Sequence, residues 1–327
     1  MDNALQGHWR QLNPATLPPS WRGSSLVFDK KRQQTVFVAA GETWLWNGES
    51  WSKAQSRLAP PARNTTHLVY DALTECVLLF GGIGLDGSPL NDVWLWNGSL
   101  WTEQHPAQRP FPLGGAAIAC DVARQQVILF GGRPGLAGST GSNRVGSFSS
   151  TTWIWDGATW QAYPTKNTPP GRSGGQLVYD ALRQQTLLFG GIGTNGYLND
   201  MWLWQGTRDE ANWQQLFPTT LPPTGTRLYA TFHEQLQQVL LLTEKIAETN
   251  LLQHSFQSWV WDGVSWSQSF IEQILPGSIE GCAYDSSHNT LVACVVTGGK
   301  ALLANKKMSA VLPDLAVPTL ASQTWIW

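Results

Sequence analysis

The sequence is poor in charge and in cysteine. Only 13% of its 327 residues are charged, and the formal net charge is −2, so it lacks the basic field that nucleic acid or an anionic membrane surface requires. Its four cysteines are too few and too scattered for a disulfide scaffold, and none forms the C-x-x-C pair of a zinc site. We expect buried free thiols, although Cys282 and Cys294 could face each other across a hairpin.

Long apolar runs are also missing. No stretch of 18 apolar residues exists that could span a bilayer, and the first twenty residues lack the apolar core of a signal peptide. We therefore expect no membrane insertion. The missing signal favours the cytoplasm, but a low charge and a high tryptophan content also suit an exported protein, so the sequence leaves the compartment open.

What the chain has in abundance is tryptophan, glycine and proline, with 19, 32 and 19 residues respectively. Aromatic residues favour strands, and glycine and proline favour the turns between them. This composition predicts an all-β protein of many short strands.

A repeat recurs six times along the whole chain. Its first mark is an aromatic-Asp pair, at Phe28-Asp29, Tyr70-Asp71, Tyr179-Asp180 and Tyr284-Asp285, with Cys120-Asp121 and Phe232-His233 as variants. A Trp-x-Trp element follows each mark, at Trp44/Trp46, Trp94/Trp96, Trp153/Trp155, Trp202/Trp204, Trp259/Trp261 and Trp325/Trp327. Repeats near 50 residues are typical of propeller blades.

A lone tryptophan follows five of the six Trp-x-Trp elements, at Trp51, Trp101, Trp160, Trp213 and Trp266. The last element has no successor, but Trp9 lies 20 residues before Asp29, the distance that separates Trp51 from Asp71. We therefore predict one domain over residues 1–327, a six-bladed β-propeller of four-stranded antiparallel blades. Residues 5–13 or so supply the outer strand of the last blade and close a monomeric ring.

The repeat resembles the kelch repeat, in which an apolar strand ends in Gly-Gly and a spaced tryptophan follows. Phe80-Gly81-Gly82, the segment from Leu90 to Trp96, and Trp101 carry the resemblance best. Gly-Gly is intact at 81/82, 131/132 and 190/191, whereas Ala39-Ala40, Thr243-Glu244 and Val295-Val296 fill the same slot in the other repeats. The resemblance implies a propeller that presents its loops to a ligand.

The loops between the second and third strands vary most in length. The long ones are Arg133–Thr152, Lys245–Ser258 and Thr297–Thr324, and insertions in repeat folds gather on the face that binds. The last of them could act as a lid or plug at the channel mouth, or could simply be a surface loop.

Connections between blades reach the same face, and four of them carry an arginine near a Pro-Pro pair. Trp21 and Arg22 occupy this position before the first repeat, and Arg63, Arg172 and Arg227 occupy it before the second, fourth and fifth. Arginine suits carboxylates, on an acidic peptide or an acidic sugar, and an indole beside it could stack on a ring. The structural alternative is that these arginines bond turn carbonyls or stack on blade tryptophans.

Catalytic motifs are not recognisable. The histidines form no close pair for the copper site of galactose-oxidase-like relatives, and Glu244, Glu248 and His254 only loosely match the iron site of plant specifier proteins. We expect no metal and no cofactor. The leading interpretation is a non-enzymatic binding module for a protein, peptide or carbohydrate. The alternatives are a sugar-processing enzyme of the sialic acid mutarotase type, with Glu244 or Glu248 as proton carrier, and a structural partner in an assembly.

Overall fold

The computed structural model describes residues 9–21, 23–64, 67–134, 148–206, 211–223, 227–246, 254–297 and 321–327. Within them the strands form six four-stranded antiparallel sheets, and the innermost strands of neighbouring sheets contact one another around a ring. The described part contains no helix long and apolar enough to cross a membrane. The predicted six-bladed propeller is confirmed.

The strands of each blade are given from the ring axis outward. Blade 1 is Ser25–Asp29, Gln34–Ala39, Glu42–Trp46 and Trp51–Lys53; blade 2 is His67–Asp71, Cys76–Gly84, Pro89–Trp96 and Trp101–Gln104; blade 3 is Leu113–Asp121, Gln126–Pro134, Thr152–Trp155 and Trp160–Tyr163. Blade 4 is Gln176–Asp180, Gln185–Phe189, Met201–Trp204 and Trp213–Leu216; blade 5 is Arg227–His233, Gln238–Ile246, His254–Trp261 and Trp266–Leu275; blade 6 is Gly277–Asp285, Thr290–Thr297, Ala321–Ile326 and Arg10–Leu12.

Two blades carry small additions. Arg63–Asn64 pairs with the end of the second strand of blade 2, and Ile192–Gly193 forms a short hairpin with Gly196–Tyr197 in blade 4. Both lie at the end of the ring where second strands lead to third strands. We call this end the loop face and the opposite end the turn face.

The N-terminal strand closes the ring as predicted. Arg10 lies opposite Ile326 and Leu12 lies opposite Thr324, so the first and last strands of the chain share blade 6. Trp9 is buried in the core between blades 5 and 6. Residues 5–8 of the predicted closing segment lie outside the described residues.

The core consists of six apolar clusters, one in each gap between neighbouring blades. Phe37 and Trp46 of blade 1, for example, share a cluster with Val292 and Cys294 of blade 6. In blades 1 to 5 the second indole of the Trp-x-Trp element pairs across the strands with the lone tryptophan, as Trp46 does with Trp51 at a ring distance of 5.2 Å. Each covered indole removes on the order of 150–250 Å² from water. Tryptophan therefore supplies much of the apolar area that joins the blades.

The marker aspartates start the turns on the turn face. Asp71 Oδ1 accepts a hydrogen bond of 3.0 Å from the backbone N–H of Leu73, as an Asx-turn requires. The fourth residue after each marker has a φ of +50° to +54°, at Gln33, Glu75, Gln125, Gln184, Gln237 and Asn289. The six turns thus share one backbone conformation.

The four cysteines are free thiols. Cys282 lies opposite Ala293 and Cys294 lies opposite Gly281, so the two are offset by one residue. Because neighbouring residues of a strand point to opposite faces of a sheet, this offset separates their side chains. The expectation of free thiols is confirmed, whereas the expectation that they are buried holds for Cys294 only, because Cys76, Cys120 and Cys282 are half-buried. The alternative that Cys282 and Cys294 face each other is wrong.

Candidate functional site

A cavity of about 250 Å³ lies on the ring axis. All six innermost strands, with the residues just before them, line it; among the lining residues are Ser24, His67, Ala117, Gln176, Tyr229 and Glu280. Each innermost strand is hydrogen-bonded within its blade on one side only. Its other edge therefore presents backbone N–H and C=O groups towards the axis, which makes the channel wall polar.

Arg63 holds blade 2 together at the loop face. Its Nη1 and Nη2 atoms donate to the two carboxylate oxygens of Asp92 at 2.6 and 2.7 Å. Nη1 also donates to the carbonyl of Gly81, and Nε donates to that of Pro61. The side chain is 1% exposed. This is the fork-to-fork pairing that arginine forms with carboxylates, and it joins the incoming connection to the third strand.

Arg172 repeats the arrangement in blade 4. It donates to Asp200 at 2.6 and 2.7 Å and to the carbonyls of Gly190 and Pro170. Burial raises the pKa of the Asp200 carboxyl, but the hydrogen bonds and charge of Arg172 outweigh burial and hold that pKa below its usual value. A binding role for Arg63 and Arg172 stays a prediction; in the structure their forks are occupied by aspartates of their own blades.

Trp21 lies against the connection that carries Arg63 and leads into blade 2. Its indole Nε1 donates to the carbonyl of Arg63 at 3.1 Å, and the ring packs, partly buried, against the core between blades 6 and 1. The predicted stacking platform at Trp21 stays a prediction. Arg22, its predicted companion, lies outside the described residues.

Arg227 is placed differently from the other two arginines. Its Nη1 donates to Glu280 of blade 6 at 2.8 Å and to the carbonyl of Ile279 at 3.1 Å, while Nε lies 4.0 Å from Glu244 of its own blade. The side chain is 38% exposed. Nη2 makes no hydrogen bond within the described part of the chain. One edge of this guanidinium is therefore held and the other is open.

The missing Gly-Gly of blade 5 explains how Glu244 reaches this position. In blades 2, 3 and 4 both glycines have positive φ, as at Gly81 (+55°) and Gly82 (+106°), a conformation that other residues rarely adopt. In blade 5 Thr243 and Glu244 fill the slot, and the second strand continues in register with the third as far as the Ile246–His254 pair. The extended hairpin carries Glu244 and His254 to the loop face together.

Glu244 and His254 form a close pair. The Nδ1 atom of His254 lies 2.5 Å from Oε1 of Glu244, and the glutamate side chain is 1% exposed while the histidine is 13% exposed. A buried carboxylate that orients an imidazole is an arrangement used in acid–base chemistry. Glu244 and His254 were candidates from the sequence, whereas Glu248 lies outside the described residues.

Glu280 connects three blades and was not anticipated from the sequence. Its Oε1 accepts from Arg227 of blade 5 and from Ser278 Oγ of blade 6, and its Oε2 accepts from the backbone N–H of Gly23, just before blade 1. A signal was available: the residue five before each marker is Ser24, Thr66, Ala116, Gly175 and Leu228 in the other repeats. Glu280 is the single charged residue at that position.

The ionisation of Arg227 and Tyr229 follows from the charges around them and from their burial. Burial lowers the pKa of the Arg227 guanidinium, but the neighbouring Tyr229, Glu280 and Glu244 outweigh burial and raise that pKa above its ordinary value. Burial, followed by the charge of Glu244, raises the pKa of Tyr229 well above its usual range. Arg227 is therefore a permanent cation and Tyr229 a neutral phenol at physiological pH.

Three side chains bridge neighbouring blades around the cavity, and all stand four residues before their marker. His67 Nε2 accepts from the N–H of Ala116, Gln176 Oε1 accepts from the N–H of Ala230, and the hydroxyl of Tyr229 donates to the carbonyl of Ile279. Burial lowers the pKa of His67 to about 4, which keeps this imidazole neutral. These contacts fix the spacing of the inner strands.

No group of three or more His, Cys, Asp or Glu side chains among the described residues is arranged to hold a metal ion.

The chain is similar to known proteins in sequence and in fold. A family model described as the KLHDC2/KLHL20/DRC7 Kelch-repeats domain matches residues 30–231. A solved structure titled "Structure of YjhT" superposes with a TM-score of 0.63 at 13% sequence identity, over 94% of this chain and 99% of that chain. No curated protein matches the sequence. At this identity the structural likeness shows the fold alone.

Proposed function

Because the chain belongs to the kelch-repeat family, as a family model over residues 30–231 shows, we propose that it is a non-enzymatic binding module. Its ligand, a carbohydrate, peptide or protein segment, is bound at the channel mouth on the loop face. Fold alone does not specify function, so the proposal depends on the chemistry of the mouth.

The observation that carries the proposal is the contrast between Arg227 and the arginines of blades 2 and 4. Arg63 and Arg172 are each 1% exposed and bound to an aspartate fork, whereas Arg227 is 38% exposed and has an open Nη2. Glu280 holds the inner edge of Arg227. A guanidinium held in this way loses little conformational entropy when a ligand oxygen binds its open edge.

The proposal is tested by a thermal-shift screen of the full chain against glycan and peptide libraries, followed by calorimetry on the compounds that stabilise it. Arg227→Lys keeps the charge but removes the Nη2 edge, and we expect it to weaken binding at least tenfold. Arg124→Lys is the matched control, because Arg124 pairs with Asp121 on the turn face. Ligands that bind Arg227→Lys as tightly as the unchanged protein would refute the proposal.

A second candidate function rests on the Glu244–His254 pair. We propose, as the alternative, a sugar-processing enzyme of the mutarotase type. His254, held by Glu244, takes the proton of the anomeric hydroxyl while a water molecule gives a proton to the ring oxygen, so that the bond between C1 and the ring oxygen breaks. The open-chain aldehyde then closes again with the two proton transfers reversed. The support is the 2.5 Å contact between the two side chains at a partly exposed histidine. Polarimetry or NMR of freshly dissolved sugar anomers tests it: faster anomer exchange that Glu244→Gln abolishes supports the enzyme, and exchange at the uncatalysed rate excludes it.

A further inference from the structure

Three Asn-Gly dipeptides occur in the sequence, and all of them lie in turns that the structure describes. They are Asn47-Gly48 in blade 1, Asn97-Gly98 in blade 2 and Asn195-Gly196 in blade 4. Asn-Gly favours turns. It is also the dipeptide in which asparagine most readily loses its side-chain amide, because glycine has no Cβ to shield its backbone nitrogen. The three sites therefore share one reactive dipeptide in different surroundings.

The loss of the amide requires two atoms of the dipeptide to meet. The backbone nitrogen of the glycine bonds to Cγ of the asparagine, and the bond from Cγ to the carboxamide nitrogen breaks. Ammonia leaves with the proton that the backbone nitrogen gives up. Water then opens the cyclic succinimide at one of its two carbonyls, which yields aspartate or isoaspartate. The reaction therefore needs a carboxamide that is free to turn and a glycine nitrogen that is accessible.

The carboxamides of Asn47 and Asn97 are anchored in the turns between the third and outer strands of their blades. Asn47 Oδ1 accepts hydrogen bonds from the backbone N–H groups of Glu49 and Ser50 at 3.0 and 2.9 Å. Asn97 makes the same two bonds in its own turn. Such Asx-turns fix the side chain against the backbone. A strand pair of the blade has to open locally before either carboxamide can rotate.

Side chains of the preceding blade also cover the glycines of these two sites. A Cβ on Gly48 would overlap the imidazole of His288, and a Cβ on Gly98 would overlap Cδ and Nε of Arg32. Both covering side chains are held by the marker aspartate of their own turn. The backbone at Gly48 and Gly98 is therefore packed against a neighbouring blade.

Asn195 has neither form of protection. It is exposed, and its carboxamide makes no hydrogen bond to any residue that the structure describes. No described atom lies within 4 Å of the place where a Cβ on Gly196 would be. The hairpin that holds the pair has two residues in each strand, Ile192–Gly193 and Gly196–Tyr197. So small a sheet is only marginally stable, and its local opening releases the nitrogen of Gly196.

From the unanchored carboxamide, the open glycine and the small hairpin together, we infer that Asn195 is a site of spontaneous deamidation in the folded protein, whereas Asn47 and Asn97 are protected. The modification does not depend on the proposed binding function. Aspartate at this position fits the fold, because the equivalent hairpin of blade 2 carries Asp86-Gly87.

Isoaspartate, the other product, changes the loop face. It adds one carbon to the main chain between position 195 and Gly196, so Gly193 and Gly196 can no longer lie opposite each other as they do now. The hairpin is joined to the connection that carries Arg172 through two backbone bonds between Ser173 and Ile192, at 3.0 and 2.8 Å. Loss of its pairing therefore alters this part of the loop face and leaves the four-stranded blade intact.

The experiment measures the conversion of the three asparagines in one sample. The full chain is incubated at pH 7.5 and 37 °C, and its peptides are mapped by mass spectrometry with a fragmentation method that separates aspartate from isoaspartate. We expect Asn195 to convert at least tenfold faster than Asn47 or Asn97, with isoaspartate among its products. Equal rates at the three sites, or a faster reaction at Asn47 or Asn97, would overturn the inference.

The same incubation in concentrated guanidinium chloride is the control for the role of the fold. Without anchored turns the three dipeptides have the same chemistry, so we expect their rates to agree within threefold. A tenfold advantage of Asn195 that persists in the unfolded chain would show that neighbouring sequence controls the reaction, and the inference would be wrong. It is equally wrong if Asn195 does not react in the folded protein while the unfolded chain does.

The structural consequence is measured by hydrogen exchange on aged protein, with aged Asn195→Ser as the matched control. Serine cannot form the succinimide, and position 195 is exposed, so the variant keeps its fold. We expect faster exchange over residues 192–198 in the aged unchanged protein only, and equal exchange in the Trp-x-Trp strands of both. Equal exchange over 192–198 in the two aged proteins would contradict the predicted loss of the hairpin.

Discussion

The indole Nε1 of Trp101 in blade 2 donates a hydrogen bond of 2.8 Å to the hydroxyl of Thr43 in blade 1. The same bond joins Trp51 to Thr324 and Trp213 to Thr152, at 2.8 and 2.9 Å. In each case the threonine immediately precedes a Trp-x-Trp element of the preceding blade. These bonds satisfy buried polar groups at the blade interfaces, which otherwise consist of apolar side chains.

Trp160 breaks the pattern and provides a test. In blade 2 the residue just before Trp94, which corresponds to Thr43 in blade 1, is Val93. The Nε1 of Trp160 is buried and has no hydrogen-bond partner among the described residues. We expect Val93→Thr to supply the acceptor and to raise the free energy of unfolding by about 0.5–1.5 kcal/mol, measured by urea denaturation. Thr43→Val removes an existing acceptor and is expected to cost about 1–3 kcal/mol. A Val93→Thr protein that is clearly less stable would show that the two side chains do not meet.

His67 predicts a pH dependence of stability. Its pKa falls from 6.5 to about 4 on folding because the ring is buried, so between these values the unfolded chain binds more protons. Stability therefore decreases as the pH falls from 6.5 towards 4 and loses nothing further from this group below that, in total about 3 kcal/mol.

His67→Gln isolates this contribution, since Gln176 fills the equivalent place in blade 4 and makes the equivalent bond. Urea denaturation between pH 7.5 and 4 should give a flatter curve for the variant than for the unchanged protein. Parallel curves would mean that His67 is protonated in the folded state.

The Arg172–Asp200 pair predicts a large loss of stability when one partner is removed. Arg172→Ala leaves the half-buried carboxylate of Asp200 and the carbonyls of Gly190 and Pro170 without this donor, and we expect a cost of about 3–5 kcal/mol. Lys53→Ala is the control, because Lys53 and Glu42 form an exposed pair of the kind worth at most about 1 kcal/mol. Equal thermal shifts for the two variants would contradict a structural role for Arg172.

A comparison of alanine substitutions at Gly131 and Gly87 separates the cost of backbone strain from the cost of steric overlap. Gly131 has a φ of +78°, and a Cβ there would lie 2.5 Å from the carbonyl oxygen of Arg172; Gly87 has a φ of +82° and open space around it. Gly87→Ala should cost only the conformational strain of about 1–2 kcal/mol. Gly131→Ala should cost at least about 1 kcal/mol more, because backbone atoms must shift. Chemical denaturation of both variants measures the difference.

Much of the fold was predictable because tryptophan spacing reports the repeat directly. The distance from Trp9 to Asp29 predicted closure by the N-terminal segment, and the pairing of Arg10 with Ile326 confirms it. Indole side chains are large, and at this regular sequence spacing they can be buried in few places other than the gaps between blades.

The site was less predictable because its contacts join distant parts of the sequence. Arg63 and Asp92 are 29 positions apart and Arg227 and Glu280 are 53 apart, and a sequence repeat does not specify which charges meet. The Asn-Asp dipeptides before Trp94 and Trp202 were available as a signal for the aspartate forks. The role of Glu244 depends on an extended hairpin that follows from a missing glycine pair.

The central claim is that Arg227, rather than Arg63 or Arg172, contacts ligand. Nitrogen-detected NMR of the guanidinium groups tests it directly, with the tightest ligand from the thermal-shift screen added to saturation. We predict that the Nη2 signal of Arg227 shifts and that its rotation slows, while the signals of Arg63 and Arg172, already held by Asp92 and Asp200, do not change. Changes at Arg63 or Arg172 with an unaffected Arg227 would contradict the account.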